Sequence, residues 1–176
     1  MMKFLIGIVV LAAGAAVGWF FLMVLPAGKQ KQTVAMTLNV GTAWMYWLTD
    51  EVGDSSSGSN VNAELMTRPE TQIIFDANKK LGGAYRKLDY DDMTKLLKPR
   101  YLQDVPRVDG WGSELEFYLS DNLLNSYVML VRSPGSDGKF SGNTYTMGAF
   151  DSKNAAEDIV WADGYFVRWP EQSKAP

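Results

Sequence analysis

The sequence predicts an α+β protein in which an amino-terminal transmembrane helix continues into a long amphipathic helix packed on a small antiparallel β-sheet. An uncharged apolar segment opens the chain, a stretch with helical spacing follows it, and short strand-like runs separated by turn residues fill the second half. We divide the 176 residues into an anchor (1–28), a connecting helix (29–53), a helical middle with an insertion (54–108) and a sheet region (109–176).

The segment from Phe4 to Leu25 is long enough to cross a bilayer. It contains no charged residue, and as a helix it reaches about 33 Å, against about 30 Å for a hydrocarbon core. A cleavable secretory signal is the alternative, because Leu25-Pro26-Ala27 loosely resembles a cleavage site. The apolar run exceeds the roughly 7 to 15 residues of a signal core, which favours a retained anchor. Lysines on both sides leave the orientation open.

One face of this segment carries small residues, which let another helix approach closely. Its members are Gly7, Leu11, Gly14 and Gly18. We expect the partners of the chain to be other integral membrane subunits that contact this face, together with membrane lipid. The alternative is that such glycine spacings occur in transmembrane helices by chance.

Composition excludes several classes of function. Residues 33–176 hold 14 basic residues (17 minus Lys3, Lys29 and Lys31) and all 20 acidic ones, a formal charge of −6, which disfavours nucleic-acid binding. The chain has no Cys and no His, so disulfides, iron–sulfur clusters and the usual general base and zinc ligand are excluded. We expect no enzyme activity, no small-molecule substrate and no cofactor other than the calcium ion considered below.

The connecting helix shows an apolar stripe that should pack on the remaining fold. Its members are Val34, Leu38, Met45, Leu48 and Val52, with Trp44 and Trp47 nearby. The polar run 54–62 ends this helix.

Two shorter helices are predicted in the middle of the chain. One covers Pro69 to Leu81, before Gly82-Gly83, and the other covers Tyr90 to Lys98, before Pro99. Asp89 is the candidate N-cap of the latter. The acids at positions 89, 91 and 92 suit either a bound cation or the cap and first turn of this helix, and the second interpretation is favoured.

Strands are predicted in the second half of the chain, over Glu114–Leu119, Tyr127–Arg132, Ile159–Trp161 and Tyr165–Trp169. Asp163-Gly164 joins the last two as a hairpin. The closing aromatic residues complete the sheet core or form a docking surface, and the core is favoured; they are Trp161, Tyr165, Phe166 and Trp169.

Three stretches carry a resemblance to a known family. They are YLQDVPRVDGWG (101–112), YVMLVRSPGSDGKF (127–140) and Glu157-Asp158-Ile159. Together with the order of elements they resemble type IV pilin-like proteins, and most closely the major, G-type pseudopilin of type II secretion. The resemblance implies a pilin-like fold in which Trp111 is a buried anchor and Gly110 and Gly112 allow a sharp turn.

The same resemblance implies a calcium site in the loops after the sheet. The matching positions are Ser136, Asp137 and Asp158, a small set for an ion that takes six to eight oxygens. The alternative is that Asp137 only forms a turn and Asp158 is a solvated loop acid. The resemblance also implies a single-pass protein of the bacterial cytoplasmic membrane with its domain in the periplasm.

The chain departs from the family at its start. The apolar segment has no acidic residue, Val9 stands where the family has a Glu, and no prepilin processing motif is recognisable. This favours a non-catalytic accessory or structural subunit that docks on a larger membrane complex, for example in respiration or photosynthesis. The alternative is a pseudopilin-like subunit of a type II secretion or type IV pilus machine.

Overall fold

A long helix followed by a mixed β-sheet makes up the described part of the protein. The computed structural model describes residues 26–51, 71–72, 74–76, 84–120 and 127–171. Helix α1 occupies 26–51, and the predicted α+β class is confirmed. The predicted membrane segment and its small-residue face (Gly7, Leu11, Gly14 and Gly18) lie outside the described residues. Among the residues that are described, no helix is long and apolar enough to span a bilayer.

Helix α1 turns a different face to the core from the one that the stripe predicted. Val40, Trp44 and Trp47 are buried at intervals of four and three residues, whereas Leu38 is 41% exposed and Met45 36% exposed. The two tryptophans have the most apolar area to bury, so they set the rotation of the helix. Val34 and Leu48 are only partly buried.

Helix α2, Tyr90–Leu97, agrees with the prediction to within one residue. The Asp92 backbone N–H donates to Oδ1 of Asp89 at 2.8 Å, which confirms the predicted N-cap. Lys98 is already extended, as expected for a residue that precedes proline.

The predicted helix from Pro69 to Leu81 is wrong where the structure describes it. Strands β1, Thr71–Gln72, and β2, Ile74–Asp76, occupy this range, and residues 77–83 lie outside the described part. Strand β3, Ala84–Leu88, follows in the region predicted to be helical. Thr71 is opposite Tyr85, and Ile74 is opposite Thr144 far along the chain. Such pairing overrides local helix signals.

The remaining strands are close to the predicted ones, with two additions. They are β4 (Glu116–Ser120), β5 (Met129–Ser133), β6 (Thr144–Thr146), β7 (Gly148–Phe150), β8 (Ile159–Ala162) and β9 (Tyr165–Pro170). The short strands β6 and β7 were not predicted. Asp163 (φ 44°) and Gly164 (φ 97°) form the predicted hairpin turn between β8 and β9.

Seven strands form one sheet in the order β1-β3-β4-β5-β8-β9-β7, and β2 pairs with β6 in a second, two-stranded sheet. Most neighbours are antiparallel, but β7 is parallel to β9 and β2 is parallel to β6. The prediction of a purely antiparallel sheet is therefore corrected to a mixed sheet.

The two faces of the large sheet bury different side chains. On the face toward the helices the cluster includes Trp44, Trp47, Met93, Phe117, Val131 and Trp161. On the far face it includes Tyr85, Tyr118, Leu130, Tyr145, Val160 and Val167. Alternate residues along β4 and β5 supply the two clusters, as the pleat requires.

Candidate functional site

The outward side of α1 is an exposed surface without charge over most of its length. We call it the outer face, and its members are Lys31, Ala35, Leu38, Asn39, Thr42, Met45, Tyr46 and Thr49, all exposed. No charged residue occurs from position 32 to position 49. Tyr46 exposes 64% of its surface, and Leu38 and Met45 were predicted to be core residues. Several exposed apolar side chains on one uncharged helix face make this a candidate contact surface.

The hairpin turn between β8 and β9 borders the outer face. A Cβ atom at Gly164 would lie 3.4 Å from Sδ of Met45, so the turn contacts the helix. Tyr165, the next residue, is 71% exposed. Among the closing aromatic residues, Trp161 is fully buried and Phe166 packs against the core, as predicted, whereas Tyr165 extends the exposed surface.

Close packing of α1 on the sheet fixes the position of the outer face. A Cβ atom at Gly41 would lie 2.6 Å from the Trp161 ring, so the helix backbone sits directly on that indole. The Gly110 N–H donates to Oγ1 of Thr33 at 2.9 Å, which attaches the loop before β4 to the start of the helix. Both contacts hold α1 at a defined rotation.

The loop that contains Gly110 is organised by a buried carboxylate whose role the sequence did not predict. Asp109 is 4% exposed and accepts the backbone N–H groups of Trp111 and Ser113, at 2.8 and 2.9 Å. It also accepts the Ser133 hydroxyl at 2.7 Å. Gly112 has φ of 93°, which supports the predicted sharp turn. Trp111 is only half-buried and belongs to neither core cluster, so the expectation of a buried anchor is corrected.

A second polar centre lies on the far face of the sheet, around Arg132. Its Nη2 is 2.6 Å from Oε2 of Glu116, its directly opposed partner on β4. Nη1 donates to the Gly142 carbonyl at 2.8 Å and to the Tyr145 hydroxyl at 2.9 Å, and the guanidinium carbon lies 3.9 Å from the Phe140 ring centroid. This side chain therefore connects the sheet to the loop before β6.

Burial and charge pairing shift the pKa values around this centre. Burial raises the pKa of Glu116, but the hydrogen bond from Lys87 and the charge of Arg132 outweigh it and lower the pKa below its usual value. Burial raises the pKa of Tyr118 to about 12. It also raises the pKa of Asp158, although hydrogen bonds from Tyr145 and Ser141 oppose this. The centre holds Glu116 charged and its tyrosines neutral at neutral pH.

The three residues of the calcium prediction lie in different environments. Ser136 and Asp137 are exposed, and the Asp137 carboxylate accepts the Lys139 N–H at 2.9 Å, which is the turn interpretation. Asp158 is buried rather than solvated; its Oδ2 accepts from the Tyr145 hydroxyl at 2.7 Å, and its Oδ1 has no hydrogen-bond partner among the described residues.

One buried oxygen falls far short of the six to eight that calcium takes. Within the described ranges no group of three or more acidic side chains is placed to hold a metal ion. These residues do not by themselves make a calcium shell, so calcium stays a prediction from the resemblance.

A cleft of about 340 Å³ lies at the start of α2, and most of its charged side chains have partners. Arg107 pairs with Glu114 at 2.9 Å, and Lys87 pairs with Glu116. Asp89, which also lines the cleft, caps the helix. The cap interpretation of the acidic cluster is therefore the one that the geometry supports.

Comparison of the chain with family models, with curated proteins and with solved structures finds no match.

Proposed function

We propose that this chain is a non-catalytic accessory or structural subunit, held in the bacterial inner membrane by a single helix, whose pilin-like periplasmic domain docks on a larger membrane protein complex. The outer face of α1 carries the proposal. It exposes Leu38, Met45 and Tyr46 without a charged residue from 32 to 49, and it follows an uncharged apolar segment in the sequence. A surface of this kind is stabilised by contact with another protein.

Ion pairs that involve strand residues support a structural role. Arg132 is paired with Glu116, and Arg168 is paired with Glu157. Groups that neutralise one another hold strands and loops in place, and they are poor candidates for a nucleophile or a general base. The absence of His from the sequence points the same way.

Purification of the full chain from membranes in mild detergent, followed by mass spectrometry, tests the proposal. We expect the chain to co-purify with subunits of an electron-transfer or light-harvesting complex and to keep its amino-terminal segment in the intact mass. Recovery of the native chain free in aqueous extract, with that segment removed, contradicts the proposal.

A substitution that blocks close helix–helix packing in the membrane segment gives a second test. Replacing both Gly14 and Gly18 with Leu should release the chain from its complex and leave the domain folded, because bulky side chains block close helix approach. Unchanged co-purification of this double variant counts against docking through that face.

The alternative function is a pseudopilin-like subunit of a secretion or pilus machine. The loop 109–112 favours it, because it matches the most specific stretch of the resemblance and lies directly against α1 through the Gly110 contact with Thr33. Co-purification with secretion components, together with a processed amino terminus, selects this alternative.

A further inference from the structure

The outer face of α1 has the residue spacing of a helix–helix contact. Ala35, Leu38, Thr42, Met45 and Thr49 follow one another at intervals of three, four, three and four residues, and all of them are exposed. A repeat of 3.5 residues keeps a row of side chains in register with a neighbouring α-helix. This row is about 21 Å long at 1.5 Å per residue, enough for several turns of a partner helix.

One end of this row carries a charged residue that a partner can contact, and the other end carries a charged residue that is already paired. Lys31 lies on the same row, four residues before Ala35, and is exposed. At the other end, Asp50 is 2.9 Å from Arg100 and accepts the Tyr101 hydroxyl at 2.8 Å. Lys31 is therefore the charge that a partner meets when it lies along the row.

The charge of Lys31 favours a different chain over a second copy of this chain as the partner. Two copies held in one membrane run parallel, so the same row on each would place Lys31 opposite Lys31. Juxtaposed like charges disfavour that pairing. A different chain with a carboxylate at this level is complementary to the row.

The position of Lys31 in the chain indicates where the partner comes from. The uncharged segment ends at Leu25, so Lys31 follows it by about 9 Å of helix. If that segment is the anchor, the row begins close to the membrane surface. A helix that leaves the same membrane beside α1 reaches the whole row without a long connection.

We propose that the outer face of α1 binds an α-helix of a different membrane-anchored subunit, which runs beside α1 from the membrane surface, places one carboxylate opposite Lys31 and carries no other charge along the row. Tyr165, next to the turn that contacts Met45, borders the same contact. This inference rests on the proposed function, since it names the chemistry of the partner that the subunit docks on.

Site-specific photo-crosslinking in native membranes tests it on the full chain. A photoreactive residue is placed at Leu38, at Met45 or at the control position Met147, whose exposed fraction of 40% matches the 41% of Leu38. We expect positions 38 and 45, but not 147, to crosslink to another subunit. Peptide sequencing should place the crosslink in a segment that directly follows a transmembrane span, has one acidic residue near that span and has no other charged residue.

Three crosslinking results overturn the inference: crosslinks to a second copy of this chain, crosslinks to lipid alone, or equal crosslinking from position 147. A crosslinked segment that lacks the acidic residue, or that has charged residues opposite Leu38 or Met45, also overturns it.

Paired substitutions give an independent measurement. Leu38→Glu with Met45→Glu should lower the complex-bound fraction at least tenfold. The matched pair Val108→Glu and Met147→Glu, at side chains of similar exposure, should leave it unchanged. Lys31→Glu should also lower it, because a carboxylate would then face the partner's carboxylate. If the double variant Leu38→Glu, Met45→Glu folds and stays in the complex as the unsubstituted chain does, this inference fails and the proposed function stands. If the parent chain itself is in no complex, the proposed function fails.

Discussion

The two faces of the large sheet are held by different physical means. The face toward the helices is closed by large apolar side chains, with Trp44 and Trp161 fully buried. The far face also buries a cluster of side chains, but a buried guanidinium within it contacts two strands and a loop. Apolar burial is nondirectional and depends on filled volume, whereas the guanidinium depends on the position of each acceptor. The first face should respond mainly to lost volume and the second mainly to lost partners.

The largest effect is expected on the apolar face. Trp161→Ala should lower the free energy of unfolding by about 4 kcal/mol, because it removes a fully buried ring and leaves a cavity under Gly41. Denaturant unfolding of the full chain in mild detergent, followed by circular dichroism, measures this. Trp169→Ala, at a partly exposed position of the same hairpin, is the control and should cost clearly less.

A smaller but more informative effect is expected on the far face. Arg132→Met should lower the free energy of unfolding by about 3 kcal/mol, because Glu116 then stays largely buried and keeps only Lys87 as an ion-pair partner. Adding Glu116→Leu should recover part of this loss, since the buried carboxylate is then removed and the Lys87 side chain that loses its partner is half exposed. A double variant as unstable as the sum of the two single variants would show that the pairing does not matter, and would remove the distinction between the faces.

The stability that the Arg132 centre gives to the far face should depend on pH. The pKa of Glu116 is lowered in the folded protein, so its contribution to stability is present above the ordinary carboxyl range and is lost as the pH falls through its folded pKa. The difference in unfolding free energy between the parent and Glu116→Gln should be largest at neutral pH and shrink on acidification.

The contribution of Asp158 to stability changes with pH in the opposite direction. Its pKa is raised by burial, so the folded state favours its protonated form, and its contribution declines as the pH rises through the folded pKa. Asp158→Asn should flatten this decline, which unfolding curves between acid and neutral pH will show. An Asp158→Asn variant with the parent's pH profile would contradict the assignment.

The smallest effect on stability is expected at Asp89, which belongs to neither face of the large sheet. Asp89→Ala should lower the free energy of unfolding by about 1 kcal/mol, because the first turn of α2 loses the carboxylate that accepts the Asp92 N–H. Asp89→Ser should restore most of it, since a hydroxyl also caps helices. Failure of Ser to rescue would indicate that charge rather than capping matters there.

Helices and turns whose starting and ending residues are recognisable in the local sequence were predictable. Asp89 and Pro99 bound α2, and Asp163-Gly164 supplies the turn of the last hairpin. The range 69–81 could not be predicted in this way, because its strands depend on partners outside the range, and the partner of β2 lies far along the chain. The Arg132 centre was missed because Glu116 and Arg132 meet only through the register of β4 and β5. A pair of opposite charges in two adjacent predicted strands was the available signal.

The sequence by itself determined the α+β class, the lack of His and Cys chemistry, the uncharged run through α1, and the local starts and ends of several elements. Tertiary structure decided which side of α1 faces the core. Two apolar stripes compete on that helix, and the one with Trp44 and Trp47 buries more area against Trp161, with Gly41 allowing close approach. Leu38 and Met45 remain on the surface for this reason, because a helix can pack only one of its faces against a single sheet.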